Sequence, residues 1–414
     1  MNNAVVRRCA TLWIESREVA EFLLDDLLSG GTGVVSRMAW FAHAPHLGGA
    51  VEIDASYVPV LGALSAVDWI ERDELNRRYG SNAIDNLIAE GLLLLKPKEG
   101  LALADDDYRT QGWYAPSAVA HMAGRWEAVD GPKGMVQRDL DTNEGLLRQH
   151  GLPPPTETPV VEDVPTLALP RVPREAFDTL LDARATCRNY DPQASVPLEV
   201  FSRLMARVFG KRGTGQPAPG FDVIKRTSPS GGALHPVECF LIVQRVEGIP
   251  PGLYRYRALD HALHPVVPRV APPAVGDAGT RALLPGEDPG AWDAAALRAF
   301  ARIAVAGQDW FAEAPVLCVL APRFHRNFWK YRNHAKAYRV CVLDAGHLSQ
   351  TLQLCATEAG MGPFVTGAIN EVDLERAFGM TGYVQSPLVV CGFGPRTGTL
   401  VESEFDPNRL VWPR

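Results

Sequence analysis

The chain has 414 residues, of which 46% are hydrophobic and 21% charged, and its formal net charge is −7. That length predicts two domains, and the composition fits a soluble globular protein with a substantial core. The acid excess argues against a general nucleic-acid binder, which needs surplus Lys and Arg against phosphates.

At the start, MNNAVVRRCATLWIESREVAEF has charges breaking every apolar run, so no signal peptide is expected. No uninterrupted apolar stretch reaches the roughly 18 residues that a membrane span needs. The seven cysteines, Cys9, Cys187, Cys239, Cys318, Cys341, Cys355 and Cys391, form no CxxC pair, which speaks against a zinc ribbon or a thioredoxin-type motif. Scattered and odd in number, they fit reduced thiols in the cytoplasm, most of them small core residues.

The stretch VDWIERDELNRRYGSNAIDNLIAEGLLLL reads as helix, tight turn, helix, strand. Ser65 or Asp68 caps a first helix that stops at Gly80. Ser81 starts a second, with Ile84, Leu87 and Ile88 at helical spacing, which ends at Gly91. A strand, LLLLK, follows. This order is that of a winged helix, yet the second helix carries Asp85 and Glu90 and no basic residue, which suits DNA phosphates poorly. Residues 1–150 are therefore read as a winged-helix-like domain, either purely structural or a clamp for a peptide.

GLPPPTETPVVEDVPTLALPRVP, rich in proline, predicts an extended, semi-rigid linker over 151–174. A larger domain over 175–414 follows. In it, Phe177, Leu180 and Leu181 share a helix face. Val200, Leu204 and Val208 mark an amphipathic helix. VECFLIV and APVLCVLAP read as buried strands. GLYRYRALDHALHPV reads as a hairpin turning near Asp260 and His261. The segment VAPPAVGDAGTRALLPGEDPGAW reads as a loop or cover. In AYRVCVLDAGHLSQTLQLCATEAG, Leu348, Leu352, Cys355 and Ala359 form a stripe that Val340, Leu343 and Leu354 widen, which predicts a long helix ending at Gly360 and buried in the core or in a subunit interface, with His347 as a core residue. SPLVVCGFGPR closes the domain as a strand.

Three groups of residues could carry chemistry. Arg184, Thr186 and Arg188 form an Arg-x-Thr-x-Arg cluster at a helix end, and guanidinium forks with a hydroxyl suit a phosphate; Arg396 could join them. In TSPSGGALHPVECFLIV, Gly231 and Gly232 permit close backbone approach to a ligand, and Ser230 and His235 add polar groups. In FHRNFWKYRNHAKAYR, Lys330 adjoins Tyr331, and an ammonium beside a phenol suits a general base. His325, His334 and His347 show no metal-binding spacing, so no metal is expected. GGTGVVS lacks the third glycine of a dinucleotide fingerprint and FGKRGTG is no phosphate loop; no GxSxG elbow is present.

The order of these groups resembles the nitroreductase superfamily of flavin enzymes over about Phe177 to Arg396. Within it, the chain is most similar to the azoline dehydrogenases that act on thiazole- and oxazole-bearing peptides. ARATCRNYDP, PSGGALHP, WKYRNHAKAYRVCVLDAGHLSQTLQL and GMGPFVTGAINEVDLERAFGM with PLVVCGFGPR carry the resemblance. It implies an α+β fold, a mixed central sheet wrapped by helices, preceded by the winged-helix-like domain. It implies FMN, with its phosphate on Arg184, Thr186, Arg188 and Arg396 and its ring edge along Ser230, Gly231 and Gly232. Thr366 and Gly367 match the segment whose backbone approaches flavin N5, and Lys330 and Tyr331 match the catalytic pair. Thr186 stands where the superfamily often has serine. The implied activity is oxidation of thiazoline or oxazoline rings in a modified precursor peptide, with hydride going to the flavin and O2 as final acceptor. The implied partners are a second copy of the chain and other peptide-modifying enzymes, with neither nucleic acid nor membrane. Two alternatives stay open: a nitro- or quinone-reductase driven by a nicotinamide, and a non-catalytic peptide-binding protein on a flavin-fold scaffold.

Overall fold

Runs such as VECFLIV place apolar residues at both parities, and a strand built from them buries both of its faces. The computed structural model, which describes residues 4–96, 100–158, 166–290 and 292–413, contains such strands at its centre. The chain divides into two compact units. One comprises Met1–Arg125, Phe324–Val340 and Gly382–Val384; the other comprises Trp126–Arg323, Cys341–Thr381 and Gln385–Arg414.

In the first unit, β1 (Val5–Arg8) precedes an antiparallel meander of β2 (Trp13–Phe22), β3 (Val34–His43) and β4 (Ala50–Ile53). β5 (Ile70–Glu71) and β6 (Leu93–Lys96) flank β1 in a second antiparallel sheet. Between them the helices Arg72–Tyr79 and Ser81–Ala89 are parted by Gly80, whose φ of 88° favours glycine. Leu75, Ile84 and Leu87 bury their apolar face against Val6, Leu61 and Leu93. Ser65 and Asp68 do not cap the first of these helices. The Ser65 hydroxyl accepts from the Val67 and Asp68 amides at 3.1 and 2.9 Å and so shapes the turn before β5. Beneath the sheet lies an ion pair: Arg7 donates to Asp105 at 2.7 Å and to Asp106 at 2.9 Å, and Asp105 also accepts from the Ala10 amide.

The second unit begins at Trp126, ahead of the proline-rich stretch. Its start is pinned by acceptors on one segment: Trp126 N to Glu371, Ala128 N to Asp373 and Val129 N to Asn370, at 2.8, 2.8 and 2.9 Å. The helices Gly131–Gln137 and Asn143–His150 therefore belong to this unit. Residues 151–158 and 166–174 are exposed and irregular, as proline dictates; residues 159–165 of the expected linker lie outside the described residues.

β7 (Gly213–Ala218) and β8 (Phe221–Lys225) form a hairpin. The central sheet contains β9 (Val237–Val243), β10 (Gly252–Arg257), β11 (Ala262–Pro265), β12 (Val316–Pro322), β13 (Gly362–Thr366) and β14 (Val389–Gly394). Their order is β11-β10-β9-β12-β14-β13. All these pairings are antiparallel. Among the described residues, the mixed character that the resemblance implies is limited in this unit to a parallel bridge between Val196 and Val246. Phe240, Ile242, Leu317 and Val319 face one core, which the helices Ala294–Ala304 and Glu371–Phe378 cover. Cys239, Leu241, Val316 and Cys318 face the other, covered by Leu198–Val208 and Ala337–Glu358. The sheet is thus wrapped on both faces, as two-sided hydrophobicity requires. The β10–β11 hairpin turns at His261, whose φ is 50°.

The helix Ala337–Glu358 is buried on one side only. Leu348, Leu352 and Ala356 are in the core, but Val342, Leu343 and His347 are exposed. His347 is therefore a surface residue of this chain, contrary to the expectation of a core histidine, because it lies on the helix face opposite the Leu348–Leu352 stripe. All seven cysteines are free; six are buried and Cys355 is half-buried. No helix among the described residues is long and apolar enough to cross a membrane.

Candidate functional site

The helix Ala176–Ala183 ends where Arg184 turns extended, at φ −69° and ψ 109°. From there the side chains alternate. Ala185 and Cys187 are buried, while Arg184, Thr186 and Arg188 reach partial exposure. Period-two alternation puts those three groups on one side of the strip. The strip is held by its backbone: Cys187 N donates to Pro363 O at 2.7 Å, and Tyr190 bridges Arg396. Arg184 donates to Gln353 at 3.0 Å and Arg188 to Ser403 O at 3.1 Å.

Arg396 turns elsewhere. It pairs with Glu404 and donates to Ala185 O at 3.0 Å. The Glu404 carboxylate, fully buried, also accepts from Arg188 N at 2.6 Å, from Asn189 N at 3.1 Å and from Trp412 Nε1 at 2.9 Å. Burial alone would raise its pKa. The Arg188 amide, Trp412, Asn189 and Arg396 outweigh that and hold it below the usual carboxylate range.

The glycine loop follows β8. Gly232, Ala233 and His235 have φ of 64°, 57° and 45°, a cluster of left-handed residues that folds the loop back on itself, with the Ala233 amide donating to Ser230 O at 3.0 Å and the Leu234 amide to Gly231 O at 3.4 Å. Two of the three carry a Cβ, so this conformation is imposed by surroundings and not by glycine alone. Ser230 fixes it: its hydroxyl donates to Asp344 at 2.5 Å and accepts from the His235 amide at 2.9 Å. Asp344 is buried on the helix Ala337–Glu358, and burial raises its pKa against the opposing pull of Ser230, the Gly231 amide and Arg226. A cavity of about 630 Å³ lies between this loop and the β7–β8 hairpin, lined by Lys225, Arg226, Ser228, Ser230 and His235. Arg226 is itself buried there. Its Nη1 donates to Val237 O at 2.9 Å, and its Nε has no hydrogen-bond partner among the described residues.

β13 ends at Thr366. Gln308 Nε2 donates to Thr366 Oγ1 at 3.0 Å and to Ala368 O at 2.9 Å, which clips the turn that follows. Gly367 is exposed, and a Cβ there would meet nothing within 4 Å. At Gly362, by contrast, a Cβ would come within 2.5 Å of Cys187 Sγ. The protein's own packing therefore demands glycine at 362 and leaves Gly367 unexplained.

Lys330 and Tyr331 belong to the first unit. They follow the short helix Phe324–Phe328, and both amides donate to Asn327 O at 3.2 Å. Lys330 is exposed, Tyr331 half-buried, and the Lys330 ammonium sits 5.6 Å from the Tyr331 ring centre. Of the expected site residues, Arg184, Thr186, Arg188, Ser230, Gly231, Gly232, Thr366, Gly367 and Arg396 share the second unit. Sequence reasoning did not single out Asp344, Gln308 or Glu404. The one available signal was an aspartate three residues before His347, interrupting the apolar run Val340–Ala345.

Residues 181–395, just over half of the chain, match the nitroreductase family. A Methanocaldococcus jannaschii protein that carries the name nitroreductase is 23% identical over 232 residues, 56% of this chain and 97% of that protein. The microcin B17-processing protein McbC of Escherichia coli is 25% identical over 210 residues, covering 50% of this chain and 65% of McbC. The trifolitoxin-processing protein TfxB of Rhizobium leguminosarum bv. trifolii is 24% identical over 166 residues, 40% of this chain and 38% of TfxB. The chain thus spans less than two thirds of either peptide-processing protein. Among solved structures, the E. coli microcin synthetase McbBCD complex with truncated pro-MccB17 bound superposes with a TM-score of 0.42 at 16% identity, over 72% of this chain and 92% of that one.

Proposed function

Because the chain belongs to the nitroreductase family, we propose that it is an FMN-dependent dehydrogenase in the maturation of a ribosomally made peptide, oxidising thiazoline or oxazoline rings to thiazole or oxazole. The observation that carries this reading is the similarity to two proteins named for processing microcin B17 and trifolitoxin. The chemistry of the site agrees with it. Two guanidinium groups and a hydroxyl on one side of the strip 184–188 have the donors that a phosphate takes. The left-handed loop, with glycine at 231 and 232, presents backbone rather than bulk, which suits close approach to a flat ring, and Arg226, whose Nε has no hydrogen-bond partner among the described residues, lines the cavity beside it.

In this reading Arg184, Thr186 and Arg188 hold the phosphate, and Arg396 braces the strip. Ser230, Gly231 and Gly232 line the ring edge, with the Thr366–Gly367 backbone near its reactive nitrogen. The bound flavin supplies the hydride-accepting chemistry. Ring aromatisation removes two hydrogens from adjacent carbons: one leaves as hydride, and the other as a proton to Tyr331 or Lys330. Dioxygen is the final acceptor. The first unit, with helices around the β5-β1-β6 sheet, is the peptide clamp. A second copy of the chain and other peptide-modifying enzymes are the partners.

The near-complete alignment of the M. jannaschii protein favours a second reading, a nitro- or quinone-reductase driven by a nicotinamide. Anaerobic titration of the purified FMN protein with NADH and NADPH separates the two. Rapid bleaching of the flavin by either nicotinamide supports the reductase. Flavin that ignores both, but is bleached by an azoline peptide that loses two hydrogens, supports the dehydrogenase.

A further inference from the structure

We infer that Gly112, Trp113 and His121 form a fixed seat that positions Lys330 and Tyr331 for proton removal, an inference that rests on reading those two residues as the base. The stretch between Phe328 and Ala337 has no regular secondary structure of its own. Left to itself, such a stretch would sample many conformations. Here it is tied down at its start, middle and end.

At its start, Phe324 N donates to Val384 O at 3.0 Å, and the Phe324 and Phe328 rings lie 4.6 and 4.8 Å from the Trp113 ring. Trp113 is oriented by its own indole N–H, which donates to Tyr383 O at 2.7 Å. In the middle, Asn333 N donates to Gly112 O at 2.9 Å. Gly112 has φ 78°, and a Cβ on it would come within 2.9 Å of Arg332 Cγ, so the seat is cut to admit Arg332. At the end, the Tyr338 hydroxyl lies 3.1 Å from His121 Nδ1.

The proton positions at His121 follow from its partners. Nε2 lies 3.0 Å from Gly382 O, which can only accept, so Nε2 carries the hydrogen. Nδ1 is then the acceptor and Tyr338 the donor. Burial suits this neutral ring and lowers its pKa to about 4. Trp113 stacks on it at 5.4 Å. Lys330 and Tyr331 fall between these ties, with their amides on Asn327 O, while Asn327 Nδ2 donates to Ala337 O at 2.8 Å. These residues hold the base pair in place without being the base themselves, so they are positioning residues.

The test uses the full-length FMN protein and an azoline peptide. Tyr338→Phe removes the hydrogen bond donated to His121, and Gly112→Ala fills the notch for Arg332 and strains a left-handed backbone. Each is expected to lower kcat about ten- to a hundred-fold, with KM for the peptide and flavin content within about two-fold of wild type. Trypsin should cut faster after Lys330 and Arg332 in both variants. His121→Gln, which keeps a donor for Gly382 O, should retain more kcat than His121→Leu. Wild-type kcat and wild-type cleavage in Tyr338→Phe and Gly112→Ala would overturn the seat. So would a loss of kcat matched by loss of flavin, since that marks general damage. Lys330→Ala and Tyr331→Phe separate the two levels: if both turn over at wild-type rate, the base reading fails and the seat has nothing to position. If both are inactive while the seat variants behave as wild type, the base reading stands and the seat alone is lost.

Discussion

The strip 184–190 and the stretch 329–336 are both short and irregular, and they are held by opposite means. The strip is fixed by charge and backbone: the Glu404 carboxylate gathers two amides, an indole and the Arg396 guanidinium. The stretch is fixed by rings, with Trp113, His121, Phe324, Phe328 and Tyr338 in mutual contact. The difference matches the work proposed for each. A phosphate is met by donors whose counter-charges must be placed to leave some free. A base must be held still without a neighbouring carboxylate that would compete for its proton.

The comparison can be broken at its strongest points first. Glu404→Ala leaves Arg396 largely buried without its counter-charge, and the second unit should lose about 3–5 kcal/mol, read as a lower midpoint in urea. Trp113→Ala empties a ring-sized space in the other cluster and should cost the first unit a similar ~3–5 kcal/mol, with FMN affinity unchanged. If Trp113→Ala instead weakened FMN binding as Glu404→Ala does, the two anchoring systems would not be independent.

Acid should affect both clusters, with the same sign and at different pH. The folded-state pKa of His121 is lowered to about 4, against about 6.5 in an unfolded chain. Its contribution is therefore fully present above about pH 6.5 and is lost as pH falls toward 4, amounting to about 3 kcal/mol at most. Glu404 is also depressed in the folded state, so its contribution is present above the unfolded carboxylate range and fades only below it. Stability measured by urea unfolding should fall first between about pH 6.5 and 4, and His121→Gln should flatten that first step.

The smallest effects sharpen the phosphate assignment. Arg184→Ala and Arg188→Ala should each weaken FMN binding by about 1.5–3 kcal/mol and leave riboflavin, which lacks the phosphate, nearly unaffected. Arg396→Ala should weaken both flavins alike, because Arg396 braces the strip instead of meeting the phosphate. Selective loss of FMN in Arg396→Ala would return it to the phosphate-binding set.

Much of the second unit was legible because its signals are local. The apolar runs of β9 and β12, the helix Leu198–Val208 and the turn at His261 depend on residues close in sequence. The meander β2–β4 was not legible. Most of β2 is exposed and its charges mask the alternation, so WIESREVAEF resembles a loop or helix as much as a strand. Glu404 and His121 escaped notice for another reason. Their roles come from partners 216 and 217 positions away, and a glutamate in LVESEF reads as solvated until the fold buries it. The one-sided burial of the helix Ala337–Glu358 is likewise a tertiary fact, since its apolar residues are spaced for a wider face than the chain itself covers.

The thiols divide unevenly between the units: Cys9 is in the first, and the other six are in the second. Burial pushes Cys9 up to about 12 and Cys187 up to about 11, and it raises Cys318, Cys355 and Cys391 as well, so these five hold almost no reactive thiolate at neutral pH. Each of them then works as an intrinsic reporter of opening. Pulse labelling with an alkylating reagent, read peptide by peptide, would time the exposure of Cys9 against that of Cys187 and Cys391, and so show which unit opens first without any probe being introduced.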